Sequence, residues 1–145
     1  MQMHQESLLP MIIISIIAAL LSTMNVWSFD INHIRIHLND IYMALLMTFW
    51  MIMLESGYNR TSNNVLLGII GIILSLYLIR NQVMITDSQF LNGMIPHHSM
   101  AILMAQKIKT RTKDKRIIEL ADNIITNQTN EIEYMTKLGG QGVVR

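Results

Sequence analysis

Between Met94 and Gln106 the chain reads MIPHHSMAILMAQ, placing two adjacent imidazoles, three thioethers and a proline within four helical turns. No other stretch carries such a density of soft metal ligands. Thioether sulfur is soft and imidazole borderline. In a chain without cysteine or paired carboxylates, that donor set suits copper, with Cu(I) favoured and Cu(II) reached through the imidazoles. Zinc prefers thiolate, imidazole or carboxylate, and a di-iron bundle needs Glu-x-x-His motifs, which are absent. The candidate metal ligands are Met94, His97, His98, Met100, Met104 and, from a later segment, Met135. Candidate residues for orienting them are Asp87, Gln128 and Glu131. On a regular helix His97 and His98 point about 100° apart, so they bind different neighbours unless Pro96 rotates one of them.

The rest of the chain must position these groups. Half of its 145 residues are apolar (51%) and few are charged (14%), a composition that favours a membrane protein. Residues 1–79 hold two basic and four acidic side chains, whereas residues 80–145 hold nine basic and six acidic. The break near Arg80 divides a membrane domain, residues 1–80, from a soluble hairpin, residues 81–138, and a disordered tail, residues 139–145. Three spans are predicted at residues 8–29, 40–57 and 64–79, with Trp27, Tyr42, Tyr58 and Tyr77 as interfacial aromatics. The first span is read as a retained anchor, because the residues before it lack the basic region of a signal peptide.

Small residues four apart, Ala18/Ser22 and Gly71/Ser75, permit close helix approach in lipid. Met43, Met47 and Met51 recur on one face of the second span, either as flexible apolar filler or as a thioether path for copper. The first connection carries His33 and His37 among Ile31, Ile34, Ile36 and Leu38. It reads as a segment on the membrane surface, with a metal role for the histidine pair as the other reading.

Thr86 or Asp87 can cap a helix that reaches Lys109, in which Pro96 predicts a kink or a broken first turn. Lys107 to Arg116 reads as a solvated turn or as a contact with anionic lipid headgroups. Nucleic acid is not expected, since no aromatics interleave the charges. A second helix follows from Asp114 to about Leu138. Heptad spacing selects Phe90, Met94, His97, Ala101, Met104 and Ile108 on the first of these helices. On the second it selects Ile117, Ala121, Ile124, Gln128, Glu131, Met135 and Leu138. An antiparallel turn at Thr112-Lys113 then sets His97 opposite Gln128 and Met94 opposite Glu131. His98 is left for a neighbouring chain. Each polar group unsatisfied in such a seam costs roughly 1–3 kcal/mol, which a bound metal or a closed hydrogen-bond network removes.

These residues resemble the family called domain of unknown function 305. The resemblance rests on Asp87, Phe90, Met94 to His98, Ala101, Met104-Ala105, Leu120-Ala121, Ile124, Gln128, Glu131-Ile132 and Met135. It implies a ferritin-like helical bundle and, for characterised members, periplasmic copper binding through His and Met. The expected fold is therefore all-α: three transmembrane helices, then an antiparallel helical hairpin that forms half of a four-helix bundle and is completed by dimerisation. The expected function is copper sequestration or transfer without catalysis, with membrane lipid, a second copy and a copper donor or acceptor protein as partners. A membrane scaffold whose hairpin oligomerises without metal is the alternative. The basic residues flanking the spans place the hairpin on the cytoplasmic side, whereas the resemblance implies the periplasmic or extracytoplasmic side and is preferred.

Overall fold

The computed structural model describes residues 8–59 and 62–140, and among these residues it contains only helices and connecting turns. The helices are α1 (Leu8–Leu21), α2 (Leu38–Tyr58), α3 (Ser62–Arg80), α4 (Asp87–Lys109) and α5 (Lys115–Gly140), with 3₁₀ turns at Met24–Trp27 and Ile31–His33. Two compact units result, each assembled from two stretches of chain. Residues 1–23 and 38–84 form one, and residues 24–37 and 85–145 form the other.

The first unit contains α1, α2 and α3. Helical runs long and apolar enough to cross a membrane occupy Leu8–Trp27, Leu38–Tyr58 and Asn63–Arg80. The α-helix of the first run stops at Leu21, earlier than the predicted end at residue 29, because Ser22, Thr23 and Asn25 compete for backbone hydrogen bonds and favour turns. Small residues mediate the packing. A Cβ placed on Gly68 would lie 2.7 Å from Met53 Cβ and 2.8 Å from Met53 N, so α2 and α3 approach backbone to backbone. Gly71 and Ser75 lie in the same buried stripe, as their spacing predicts, with Ser75 Oγ donating to Gly71 O at 2.8 Å. On α1 the buried small pair is Ser15 and Ala19 rather than Ala18 and Ser22. Met43, Met47 and Met51 are exposed on α2. Tyr42 is buried, and its hydroxyl donates to Val83 O at 2.7 Å beyond the end of α3.

The second unit is the antiparallel pair α4 and α5, joined by a short turn. Thr86 Oγ1 accepts from Gln89 N to cap α4, while Asp87 is its first helical residue. The helix runs unbroken through Pro96, so the expected interruption of its first turn does not occur. At the turn, Asp114 Oδ1 accepts from Arg116 N and both carboxylate oxygens receive the guanidinium. That guanidinium holds the exposed Asp114 carboxyl below the usual range, and the carboxylate raises Arg116 in return. Lys109 pairs with Asp122 across the hairpin. The core consists of Leu91, Ile95, Ile102, Ile132 and Met135, with Met94 and Leu138 packed against it. Helix α5 extends through Gly139 and Gly140, two residues past the expected start of the tail, whose residues 141–145 lie outside the described residues, as does Arg60.

This unit also contains a strap, residues 24–37, that the composition break assigned to the membrane domain. Asn25 closes it on itself: Nδ2 donates to Arg35 O at 2.8 Å, and Oδ1 accepts from Arg35 N at 2.9 Å. The strap crosses α4 at Ser99, which is completely buried. Phe29 N–H donates to Ser99 Oγ at 2.8 Å, and His33 Nδ1 lies 2.9 Å from the same oxygen. With its proton on Nε2, His33 accepts the Ser99 hydroxyl and both bonds are made together. The buried ring of His37 lies against Gly93, where a Cβ would come within 3.4 Å of Nδ1. Ile31 (80% exposed) and Ile36 (79%) point outward. The alternation that suggested a surface segment therefore turns its histidines onto α4 and its isoleucines away.

Candidate metal-binding site

The buried side of α4 decides how the ligand-bearing stretch is presented. Leu91, Ile95, Ile102 and Ala105 are buried and His98 is half-buried, so α5 packs one residue round from the predicted heptad row. Two rows with the same spacing exist on this helix. The inner one faces α5, and the predicted one, Phe90-Met94-His97-Ala101-Met104-Ile108, borders it on the open side.

The register along the hairpin moves as well. His98 Nε2 lies 2.8 Å from Glu131 Oε2, whereas the sequence spacing put Met94 there, one helical turn away. Gln128 Nε2 reaches the same carboxylate oxygen at 3.4 Å, rather than meeting His97. The other nitrogen of His98, Nδ1, is 2.7 Å from Met94 O. The expected roles of the two histidines are therefore exchanged: His98 is held within the hairpin and His97 is exposed. Their ring centroids are 6.1 Å apart and their planes inclined by 68°.

Both nitrogens of His98 face oxygen acceptors. The ring makes both hydrogen bonds at once only with a proton on each nitrogen. With the proton on Nδ1 alone, donated to Met94 O, the Nε2 lone pair faces the Glu131 carboxylate and only one of the two bonds is made. The 2.8 Å separation of Nε2 and Oε2 is that of a direct hydrogen bond between ring and carboxylate.

The remaining candidates divide by position. Met94 is half-buried beside the core and Met104 is 56% exposed on the open side. Met100 is half-buried, and Met135 is buried within the apolar cluster among Leu91, Ile95, Ile102 and Ile132. Asp87 is exposed at the start of α4. Among the described residues no group of three or more His, Asp or Glu side chains converges on one point. Met94, His97 and Met104 instead follow one another along the side of α4 that borders the open face, Met94 half-buried against the core and Met104 about 15 Å further along the helix axis. In the sequence the strap leaves one visible trace, His33 and His37 at four-residue spacing.

Residues 78–139 match the family model described as "Domain of unknown function (DUF305)". An uncharacterized protein of Acanthamoeba polyphaga mimivirus is 48% identical over 141 residues, covering 94% of this chain and 93% of that protein. No solved structure matches the chain.

Proposed function

We propose, for a chain that belongs to the DUF305 family, that it is a membrane-anchored copper-binding protein that sequesters or transfers copper through Met and His side chains and catalyses no reaction. The observation that carries this reading is the open side of α4, where Met94, His97 and Met104 share one face next to the His98–Glu131 pair. Two thioethers and an imidazole match Cu(I), and exposure of His97 and Met104 gives the ion a route in and out. In this reading the three apolar helices cross the membrane, the hairpin lies on the extracytoplasmic side and a copper donor or acceptor protein meets its open face.

Copper content of the full-length chain, purified in detergent and loaded with Cu(I), tests the proposal. Wild type retains copper through dialysis, and the His97→Ala, Met104→Ala double variant loses most of it. Equal, negligible copper in the two proteins sinks the idea. A second reading, a membrane scaffold without metal, is favoured by the length of the exposed apolar face, which continues on α5 through Ile117, Leu120 and Tyr134. It predicts a stable oligomer whose wild type retains no copper.

A further inference from the structure

The open side of the hairpin is too apolar for a surface facing water along its whole length. Phe90 (53% exposed), Met104 (56%) and Ile108 (44%) line α4. Together with Ala101, Ile117, Leu120 and Ile124, Met104 and Ile108 border a groove of about 540 Å³ with Lys107 and Arg111 at its rim. Such a continuous apolar face marks an interaction site.

Its pattern identifies the occupant. Along α4 the row Phe90, Met94, His97, Ala101, Met104, Ile108 is spaced four, three, four, three, four, and reads the same from either end. Reversed onto itself, the row sets Phe90 opposite Ile108, Met94 opposite Met104 and the large His97 opposite the small Ala101. Self-complementarity of this kind is what a two-fold interface requires. Charge fixes the direction. If two hairpins docked with their turns at the same end, the six basic residues between Lys107 and Arg116 in each copy would lie side by side. With the turns at opposite ends they separate, and Arg111 comes to the level of Asp87 of the other copy. Glu131 enters the middle of this arrangement already paired with His98.

We propose that a second copy of this chain covers the open face with its hairpin reversed, and that each copper ion is held between Met94 and His97 of one copy and Met104 of the other. The proposal rests on the copper reading above and adds that neither hairpin holds a complete site alone. Ala101 opposite His97 leaves the room in which the ion sits. Two equivalent sites form per dimer, each with two thioethers and one imidazole.

Because the chain has no cysteine, introduced thiols are unique. Full-length chains carrying Phe90→Cys or Ile108→Cys are mixed in detergent and treated with a short bis-maleimide. A covalent dimer forms in the mixture and not in either single variant. Self-linking of the single variants, or no linking in the mixture, overturns the reversed interface. Copper content of heterodimers of His97→Asn and Met104→Leu chains, isolated through two different tags, tests the shared site. In such a heterodimer one site loses both altered ligands and the other keeps all three. It therefore retains about half of the wild-type copper and several-fold more than either variant homodimer. A heterodimer no better than the homodimers overturns the shared site. A wild type without copper overturns the parent reading and the shared site with it, while the cross-links then judge the interface by themselves.

Discussion

The two units of this protein differ in what they bury. Around α1, α2 and α3 small residues are prominent among the buried positions, with Ser15, Ala19, Ala44, Thr48, Ser56, Gly68, Gly71 and Ser75 beside the larger Tyr42, Ile52 and Ile72, while Leu9, Ile14, Leu66 and Ile73 point outward. In the hairpin unit the interior is Leu91, Ile95, Ile102, Ile132 and Met135, and the charges lie outside. Water drives the second arrangement by expelling apolar surface. In the first, close backbone approach at Gly68 and hydrogen bonds such as Thr48 Oγ1 to Ala44 O accompany apolar contact, and large apolar side chains also face outward.

That contrast breaks most sharply at Gly68. Gly68→Val drives a branched side chain into the Met53 backbone, and a loss of about 3 kcal/mol or more is expected in detergent unfolding of the first unit. Gly93→Ala in the hairpin unit meets only the edge of His37 at 3.4 Å and changes stability far less. Equal losses for the two would remove the distinction.

A middle-sized effect belongs to Ser99→Ala. It leaves the Phe29 amide without its acceptor and removes the bond to His33, at a cost of about 1–3 kcal/mol. Amide exchange at Phe29 should accelerate while that of α5 stays near wild type. Unchanged exchange at Phe29 would show that apolar contact alone fixes the strap.

Asp114→Asn has the smallest effect, and its dependence on pH identifies it. The folded carboxyl titrates below its ordinary value of 3.8 because Arg116 favours the charged form. The stabilisation is therefore complete above the unfolded value and fades as pH falls through the lowered folded one. Thermal unfolding of the variant and of wild type should differ slightly at neutral pH and converge in acid. A difference that persists at low pH would assign the effect to the helix cap rather than to the charge.

Sequence patterns made the helices legible to different depths in the two units. The bounds of α4 follow from Thr86 and the basic turn, and the close approach of α2 and α3 from Gly71 and Ser75. The side of α4 that meets α5 was not legible, because Phe90-Met94-Ala101-Met104 and Leu91-Ile95-Ile102-Ala105 are equally apolar and equally spaced. Only three-dimensional packing chooses between them, and with that choice the two histidines exchange places. The one-turn shift in register had the same origin, since the turn was placed by composition and both helices tolerate a slip of one turn between apolar layers. The strap escaped notice because its partner on α4, Ser99, is a small polar residue with no periodic signature.

Ser99 also bears on where this protein can be cut. A fragment containing only the residues that match the family model, 78–139, would uncover that hydroxyl and the Gly93 surface beneath His37, because what covers them arrives from more than forty positions upstream in the chain. The folding unit is discontinuous. Excision by sequence boundary yields a hairpin stripped on its third side, whereas a functional module needs residues 24–37 rejoined to it by an engineered linker or retained through the whole chain.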